Sequence, residues 1–386
     1  MTEPAIPYYV SPDWGEPRFL GILETVLSPQ IILMTFTGLG KFVLINTWLM
    51  YTVGFVGCLV IRKRFQLSLL PFIFLFLLFN FNGHITSHLA AGHSMWLGYF
   101  LLPFFFLLTL ELAQCQGPPR LNISVPLSLV LFGIILQGSF HFFVWCLLFL
   151  ALFGVFNRQH LRVVGLTIVL SLFLSAVRLL PGALIHSDRA VRGYNSEYYF
   201  GTFVDALTSI AAFTTEHPLS PVGWHELDVF IGIIGVAFIA YFGIYQRFSA
   251  NPDLEGHRFS AFDLPILMFV LISFGVGYDL LRDLRIPLVS FAERVPARFL
   301  IMPLVALIVI SSIRMESFLN GIDRTTNFKL LSLAAIVVLA HALGLHSFTW
   351  RQGPGSSPDW SDFTFNGPAQ WDLLYTTAVT AGGVLS

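Results

Sequence analysis

The feature that most constrains this chain is a series of long apolar runs. A helix needs about 20 apolar residues to cross the roughly 30 Å hydrocarbon layer of a bilayer. Clear runs of this length lie near 42–61, 94–112, 163–181, 228–246, 263–281 and 328–348, and shorter ones near 67–81, 123–137, 140–156 and 298–313. We therefore expect about ten transmembrane helices.

Composition agrees with this expectation. Hydrophobic residues make up 55% of the 386-residue chain and charged residues only 11%, against roughly 25% charged residues in soluble domains. The mean hydropathy is +0.75. These values exclude an ordinary cytosolic enzyme and a nucleic-acid binder with a basic footprint. The runs are continuous rather than alternating, which disfavours a membrane barrel and predicts an all-α polytopic bundle.

Local signals refine the helices. Gly138 and Ser139 interrupt 123–156 and predict a tight turn between two helices. Pro181 is expected to end the helix that carries Arg178. The segment PFIFLFLLFNF at 71–81 is interpreted as lipid-facing bulk.

The basic residues orient the bundle. Arg62, Lys63 and Arg64 directly follow the first run, so the positive-inside rule places their loop in the cytoplasm and the N terminus outside. The predicted organisation is an extracytoplasmic segment 1–41, a transmembrane domain 42–349 with an outer loop at 182–227, and an extracytoplasmic tail 350–386. The expected location is a bacterial-type inner or plasma membrane.

Seven arginines fall on the outer side, where this rule expects few cations. They are Arg178, Arg189, Arg192, Arg282, Arg285, Arg294 and Arg298. Arginine suits planar, bidentate contacts with oxyanions. Two interpretations stay open: a phosphate-bearing ligand, or salt bridges to outer acids and lipid headgroups.

The motif FAERVPARF at 291–299 is the most specific of these signals. Arg294 and Arg298 are four residues apart around Pro296 and open a helix, whose N terminus favours anions. In RLLPGALIHSDRAVRG at 178–193, Arg178, Arg189 and Arg192 are further candidates. Intramembrane arginines are usually functional, although a residue at a helix end can also snorkel to the surface.

Two other segments carry candidate chemistry. In NGHITSHLAAGHSMW at 82–96, His84 and His88 share a helix face and His93 follows Gly92. They are interpreted as ligands of a transition metal, as the wall of a polar active site, or as structural residues of an interfacial helix. In SPDWGEPRF, Asp13 and Glu16 are candidates for a general base or are plain solvated acids.

The order of these motifs resembles a known family. HITSHLAAGHSMWLGYFLLPFFFL (84–106), a helix ending in RLLP, GWHELDVFIGIIG (223–235) and RVPARFL (294–300) together resemble bacterial membrane proteins of the GT-C glycosyltransferase superfamily, in particular the YfhO-like group. The likeness covers most of residues 20–350. It implies transfer of a sugar from a polyprenyl-phosphate donor on the outer side of the membrane.

The resemblance also implies residue roles. Asp13 or Glu16 would be the base in the first outer loop, and Arg294 and Arg298 would hold the lipid phosphate. Glu226 of the third motif joins the substrate-binding candidates, with the outer arginines and the three histidines. No cofactor is specified, and a divalent metal (Mg²⁺ or Mn²⁺) is left open.

The chain departs from the family pattern in three ways. No helix precedes the first outer loop, no Asp-x-Asp pair occurs there, and only 350–386 follows the helices. A fragment, a shortened relative without catalysis, and one subunit of a larger assembly are all consistent with this. The alternatives to a transferase are a non-catalytic membrane subunit and a transporter. The expected partners are membrane lipid, the lipid-linked donor and other membrane subunits, and no nucleic acid.

Overall fold

The computed structural model describes residues 26–114, 121–186, 198–212, 215, 223–249, 259–283, 293, 295–322, 325–350 and 381–382. These residues form helices joined by short turns, and no β-strand occurs among them. The predicted all-α class is therefore confirmed for the part of the chain that the structure describes.

Every predicted apolar run contains helix. Apart from two four-residue helices (Met34–Thr37 and Gln246–Ser249), the described α-helices in chain order are α1 (Leu39–Phe65), α2 (Leu69–Asn80), α3 (Gly83–Ala90), α4 (Leu102–Gln114), α5 (Leu121–Leu136), α6 (Phe140–Phe156), α7 (Leu161–Leu174), α8 (Ala176–His186), α9 (Phe200–Thr208), α10 (Gly232–Phe238), α11 (Asp263–Ser273), α12 (Val276–Asp283), α13 (Ile301–Asn320) and α14 (Thr326–Thr349). Single 3₁₀ segments precede α4 (Ser94–Leu101) and α13 (Pro296–Leu300), and a π-helix (Ile239–Tyr245) extends α10.

Among the described residues, fewer helices than the predicted ten are long enough to cross a membrane. Five described segments are long enough and apolar enough to cross a membrane: Gly40–Phe65, Leu69–Ala90, Ser94–Gln114, Pro296–Asn320 and Thr326–Thr349. The α6–α7 pair, bent by 117°, makes a sixth if it is counted as one span. Three other apolar helices have only 10–17 residues. The multi-pass character is supported, and the number of about ten spans is not confirmed.

The helix breaks lie where backbone geometry requires them. Gly138 has φ 75°, which glycine adopts without strain, and α5 and α6 are separate helices on either side of it. The predicted split is thus confirmed. The prediction for Pro181 is wrong, because α8 continues through it and the break falls at Ser175 instead. An interior proline removes one backbone hydrogen bond and crowds the carbonyl four residues earlier, but the helix is still present on both sides of Pro181.

Burial differs strongly between the long helices. In the most apolar 18-residue window of each segment, 94% of the residues are buried for the α13 segment, 33% for α1 and 11% for α14. α13 therefore forms the centre of the bundle, and α14 lies at its periphery.

The phenylalanines of α2 are not lipid-facing bulk as predicted. Phe74 and Phe79 are buried, and their rings stack on Phe238 at 4.8 Å and on Tyr99 at 4.6 Å. Hydropathy cannot separate the two environments, because lipid tails are as apolar as a protein core.

Polar contacts gather at one end of the bundle around the basic loop. The Arg64 Nε donates to Glu111 Oε1 at 2.7 Å, and the Ser68 backbone N–H donates to Glu316 Oε2 at 2.6 Å. We call this the basic end and define it by Arg62, Lys63, Arg64, Glu111 and Glu316.

A second polar region lies at the opposite end of α13. Arg298 precedes α13, and Glu316 lies 18 residues further along, which at 1.5 Å per residue separates them by about 27 Å. This separation is close to the hydrocarbon thickness of a bilayer. We call the Arg298 side the histidine end and define it by His84, His88, His93, His141 and His225.

Candidate functional site

An ion-paired arginine lies at the centre of the histidine end. The Arg298 guanidinium donates to Glu226 through two bonds, from Nε to Oε2 at 2.6 Å and from Nη2 to Oε1 at 2.5 Å. Its Nη1 donates to Glu293 Oε1 at 3.1 Å. All three residues are buried. Bidentate arginine–carboxylate pairs are among the strongest charge-assisted hydrogen bonds. We refer to Arg298, Glu226, Glu293, His88, His141 and His225 as the Arg298 cluster.

Local backbone structure fixes the three charged groups. Pro296 opens the 3₁₀ turn before α13, a position where its missing N–H costs nothing. The Glu293 carboxylate folds back to accept the Val295 N–H at 2.9 Å, and the Tyr278 hydroxyl donates to the Glu293 carbonyl at 2.7 Å. Glu226 ends a separate 3₁₀ turn, Trp224–Glu226. The pair thus joins two turns that are 72 residues apart in the chain.

Histidines surround the two carboxylates. His141 Nδ1 lies 3.2 Å from Glu293 Oε2, and His225 Nε2 lies 3.5 Å from Glu226 Oε1. His88 Nε2 is more distant, at 3.9 Å from Glu226 Oε2. The His225 and His141 side chains are part-exposed and His88 is fully buried. The cluster therefore has a buried floor and a rim that is open at the end of the bundle.

Trp96 packs against the cluster on several sides. The guanidinium carbon of Arg298 lies 5.2 Å from the Trp96 ring, and the rings of His88 and His141 stack on it at 4.4 Å and 5.3 Å. His84 contacts the same indole edge-on at 5.1 Å. A guanidinium or imidazolium is attracted to an indole face. Trp96 therefore stabilises the Arg298 guanidinium.

The helix that carries His84 and His88 is held by a tight approach to the GWHELD segment. Asn82 caps α3 by accepting the Ile85 N–H, and the Gly83 N–H donates to the Phe230 carbonyl at 2.8 Å. A Cβ at Gly83 would collide with the side chain of Asp228 and the backbone of Phe230. Glycine is therefore required for this close approach.

Asp228 anchors the last long helix to the same segment. Its Oδ2 lies 2.9 Å from His346 Nε2 and accepts the Trp350 indole N–H at 3.0 Å. The other carboxylate oxygen accepts the Phe230 N–H at 3.0 Å. All four side chains are buried. The end of α14 is thereby tied to the histidine end.

The cluster holds its carboxylates in the ionised form. Burial by itself would raise the pKa of the Glu226 carboxyl, but the hydrogen bond from His225 and the charge of Arg298 outweigh it and lower that pKa. Burial also opposes ionisation of Glu293, yet Arg298 and then His141 hold its pKa below the ordinary value. With neutral histidines, the two carboxylates and one guanidinium leave a net charge of −1.

Several predicted site residues lie together here. His84, His88, His93, Glu226 and Arg298 all lie at the histidine end. Arg178 is fully buried on α8, which contributes none of the contacts given above. Asp13, Glu16, Arg189, Arg192 and Arg294 lie outside the described residues.

Sequence reasoning missed Glu293, His141, His225 and Asp228. Glu293 stands inside the FAERVPARF motif, where the sequence analysis singles out only the two arginines. The structure buries Glu293 against Arg298. His141 follows the Gly138–Ser139 turn, and this position at the start of a helix was the available signal.

Metal binding receives no support within the described residues. No group of three or more His, Cys, Asp or Glu side chains there has an arrangement that could hold a metal ion.

Comparisons of the chain with protein-family models, with curated proteins and with solved structures give no match. The apolar helices and the site together define the class of protein. It is a multi-pass helical membrane protein with a buried Arg–Glu–His cluster at one end.

Proposed function

We propose that this chain is a membrane-embedded protein of the glycosyltransferase type, which binds a polyprenyl-phosphate-linked sugar at its histidine end. The observation that carries the proposal is the Arg298 cluster. Ionisable side chains at membrane depth are costly and usually mark a functional site. Here four separate chain segments place two carboxylates, an arginine and three histidines together at one end of the membrane-spanning helices.

An apolar groove that reaches the end of α2 next to the His84 helix supports a lipid-linked substrate. It opens between α1 and α2, has a volume of about 410 Å³, and is lined by Trp48, Tyr51, Phe55, Phe76 and Phe81 among others. Phe81 lies three residues before His84 in the chain. A lipid tail in this groove would bring its head toward the histidine end.

The ion pairs define what Arg298 does in this proposal. Its Nε, Nη1 and Nη2 atoms already donate to carboxylates, so a phosphate would have to compete with Glu226 and Glu293. We therefore assign Arg298 a positioning role in place of direct phosphate contact. The part-exposed His225 and His141, with His93 beside them, lie on the rim of the cluster, and we propose that the phosphate and sugar oxygens bind next to these rings.

The proposed reaction places specific demands on the base. The acceptor hydroxyl oxygen bonds to the anomeric carbon of the sugar, the bond from that carbon to the phosphate oxygen breaks, and the lipid phosphate leaves with the electron pair. The hydroxyl proton passes to a carboxylate. The lowered pKa of Glu226 makes it a weak base. Asp13 and Glu16 therefore remain the proposed general bases.

The proposal includes an orientation and partners. The basic end faces the cytoplasm and the histidine end the outer side of a bacterial-type membrane, with the N terminus outside. α14, of which only 11% is buried in its most apolar window, offers a surface to lipid or to a further membrane subunit.

Binding in lipid nanodiscs tests the proposal. We expect the wild type to bind a short-chain polyprenyl phosphate more tightly than the matching phosphate-free polyprenol. His93→Gln and His225→Gln should each weaken phosphate binding about 2- to 12-fold, which corresponds to roughly 0.5–1.5 kcal/mol per hydrogen bond.

The control is Arg64→Gln at the basic end, which should bind like the wild type. Equal affinity of the wild type for both lipids, with rim variants that match this control, would reject the lipid-phosphate site. The non-catalytic subunit and the transporter would then remain.

A further inference from the structure

The ring of His141 lies between a buried carboxylate and the open end of the bundle. Its Nδ1 atom is buried and lies 3.2 Å from Glu293 Oε2. The Glu293 side chain is fully buried, whereas 12% of the His141 side chain is exposed. The exposed part of His141 therefore belongs to atoms other than Nδ1.

The Glu293 carboxylate decides which nitrogen of a neutral His141 ring carries the proton. An ionised carboxylate only accepts hydrogen bonds, and a neutral imidazole has one N–H and one bare nitrogen. A bare Nδ1 would set its lone pair against those of Glu293 Oε2, so the proton belongs on Nδ1. Nε2 is then bare, and a neutral His141 has no N–H for a phosphate oxygen.

The charge of the cluster also opposes an anion. Glu226 and Glu293 with Arg298 leave a net charge of −1 when the histidines are neutral. A phosphate that approaches the rim next to His141 is repelled by this charge. One added proton brings the sum to zero and gives His141 a second donor, because both nitrogens of an imidazolium carry N–H groups.

The other rim rings are less suited to this change. His225 Nδ1 lies against the backbone of Gly223, where an added Cβ would be only 2.7 Å away. His93 Nδ1 lies 3.1 Å from His88 Nδ1, and a neutral His93 can donate from Nε2 when His88 supplies the proton between the rings. Proton uptake on binding is therefore assigned to His141.

The described groups around His141 that titrate or carry charge come from several segments. Glu293 is in ion-pair contact with the ring, and Trp96 stacks on the ring at 5.3 Å. Arg298 and the histidines of α3 are reached through these two contacts. The full set is Glu293, Arg298, Glu226, His84, His88 and Tyr278.

We propose that His141 takes up a proton when the lipid phosphate binds and then holds a phosphate oxygen through its Nε2–H. The Nδ1–H continues to face Glu293, so the imidazolium connects the carboxylate to the phosphate by hydrogen bonds. The proton comes from water and returns to it when the ligand leaves. This inference rests on the proposed lipid-phosphate site, and it adds that the affinity of that site rises as the pH falls.

The pH dependence of binding tests this coupling in the full-length protein, held in nanodiscs of neutral lipid. The probe is a short-chain polyprenyl methyl phosphate, a diester of constant negative charge, because a monoester has a second pKa of about 6 and would add its own titration. An ordinary histidine titrates near pH 6.5 or so, and where the free ring is neutral each pH unit should weaken binding about tenfold. We expect the wild type to bind at least about 10-fold more weakly at about pH 8.5 than at about pH 5.5.

Three variants locate the titrating group. His141→Gln should bind the probe equally at the two pH values, since an amide does not titrate. His225→Gln should weaken binding but keep the dependence on pH. His160→Gln, a buried histidine outside the cluster, is the matched control and should behave like the wild type. A wild-type affinity that does not change with pH, or a dependence that His141→Gln retains, would overturn the proton uptake.

Nitrogen NMR of the ¹⁵N-histidine-labelled wild type gives a second readout and uses His141→Gln only to assign the ring. At about pH 7.5, where an ordinary histidine is neutral, we expect a protonated Nδ1 and a bare Nε2 in the free protein. Both nitrogens should carry protons once the probe is bound. A ring that is neutral in both states, or an imidazolium in both, contradicts the proposal.

The two proposals fail in different ways. A preference for the probe over polyprenol without any pH dependence keeps the lipid-phosphate site and removes the proton uptake. No preference for the probe even at the acidic pH rejects the site itself, and the proton uptake with it.

Discussion

Arg298 binds Glu226 through both carboxylate oxygens, at 2.5 and 2.6 Å, across 72 residues of sequence. The two residues stand in different turns, and neither turn continues into the other. The pair therefore closes the histidine end of the bundle by connecting the GWHELD segment to the start of the central helix. Its energetics decide how firmly the site is preorganised.

Removal of one partner should destabilise the fold strongly. Glu226→Gln leaves the buried Arg298 with a single carboxylate, and loss of one partner of a buried pair costs about 3–5 kcal/mol. We expect a decrease of this size in the free energy of unfolding, measured by reversible unfolding in mixed micelles. Glu111→Gln, which breaks a part-exposed pair at the basic end, should cost about 0–1 kcal/mol.

Replacement of both partners should cost less than the two single replacements added together. In the double variant Glu226→Met with Arg298→Met no charge of the pair is left buried and alone, although Glu293 loses its guanidinium. A double-mutant cycle should therefore give a coupling energy of at least about 1 kcal/mol. A coupling energy near zero would show that the two residues do not interact in the membrane.

Acid should weaken the fold through the same carboxylates. The pKa values of Glu226 and Glu293 are lowered in the folded state, against about 4.3 in the unfolded chain. Their contribution is complete above pH 4.3 or so and is lost as the pH falls through the lower folded values. Unfolding of the wild type followed against pH should show this acid limb, and Glu226→Gln should flatten it. Loss of stability between pH 8 and 6 that disappears in Glu226→Gln would contradict this account.

The sequence predicted the helices well and the site in part. Gly138 with Ser139, and Pro296, mark true helix boundaries because their backbone preferences act locally. His84, His88 and Arg298 could be selected because polar residues next to apolar runs are rare in such a chain. Glu293 and His141 were missed because their roles depend on contacts between different helices, which no local pattern records.

An apolar sequence pattern cannot distinguish buried from lipid-facing side chains, and it does not fix the number of membrane spans. The buried Phe74 and Phe79 have the same hydropathy as lipid-facing residues, so only packing identifies them as core. The number of spans is not confirmed by the described residues for a related reason. Length and hydropathy separate a crossing helix from a shorter apolar helix only when both ends of the helix are known.

Gly83→Ala should be costly because the new methyl group meets Asp228 and Phe230. Overpacking of this kind costs about 1–3 kcal/mol. Gly344 lies in α14 with open space around its Cα, so Gly344→Ala should instead stabilise the helix by roughly 0.5–1 kcal/mol. Thermal unfolding of both variants in the same micelles measures the difference, and equal shifts would show that the α3 contact is absent.

Asp228→Ala should loosen the end of α14. It removes the acceptor of both His346 and Trp350, and each donor left unsatisfied costs about 1–3 kcal/mol. We expect earlier proteolytic cleavage near residue 350 and a change in Trp350 fluorescence. Asp205→Ala, at an exposed position of α9, is the control. Identical digestion of the two variants would remove Asp228 as the anchor.

Thiol labelling in intact cells tests the orientation. In a background with Cys115→Ser, where Cys58 and Cys146 are buried, a cysteine in place of Ser209 should react with an impermeant maleimide. One in place of Gln159 should react only after the membrane is permeabilised. Ser209 lies two residues before Ala211, whose carbonyl accepts a hydrogen bond from Thr349 near the histidine end. Gln159 follows α6, at the other end of the bundle. The reverse pattern would place the basic end outside.

The central claim, that the histidine end binds the head of a lipid-linked sugar, is tested most directly by photocrosslinking. A polyprenyl phosphate with a photoreactive group next to the phosphate is added to the wild type in nanodiscs, and the labelled peptides are mapped by mass spectrometry. The account predicts adducts within 83–96, 223–228 and 295–299 that an excess of unlabelled polyprenyl phosphate suppresses. Adducts spread along α14, or adducts at the histidine end that polyprenol suppresses equally well, would contradict it.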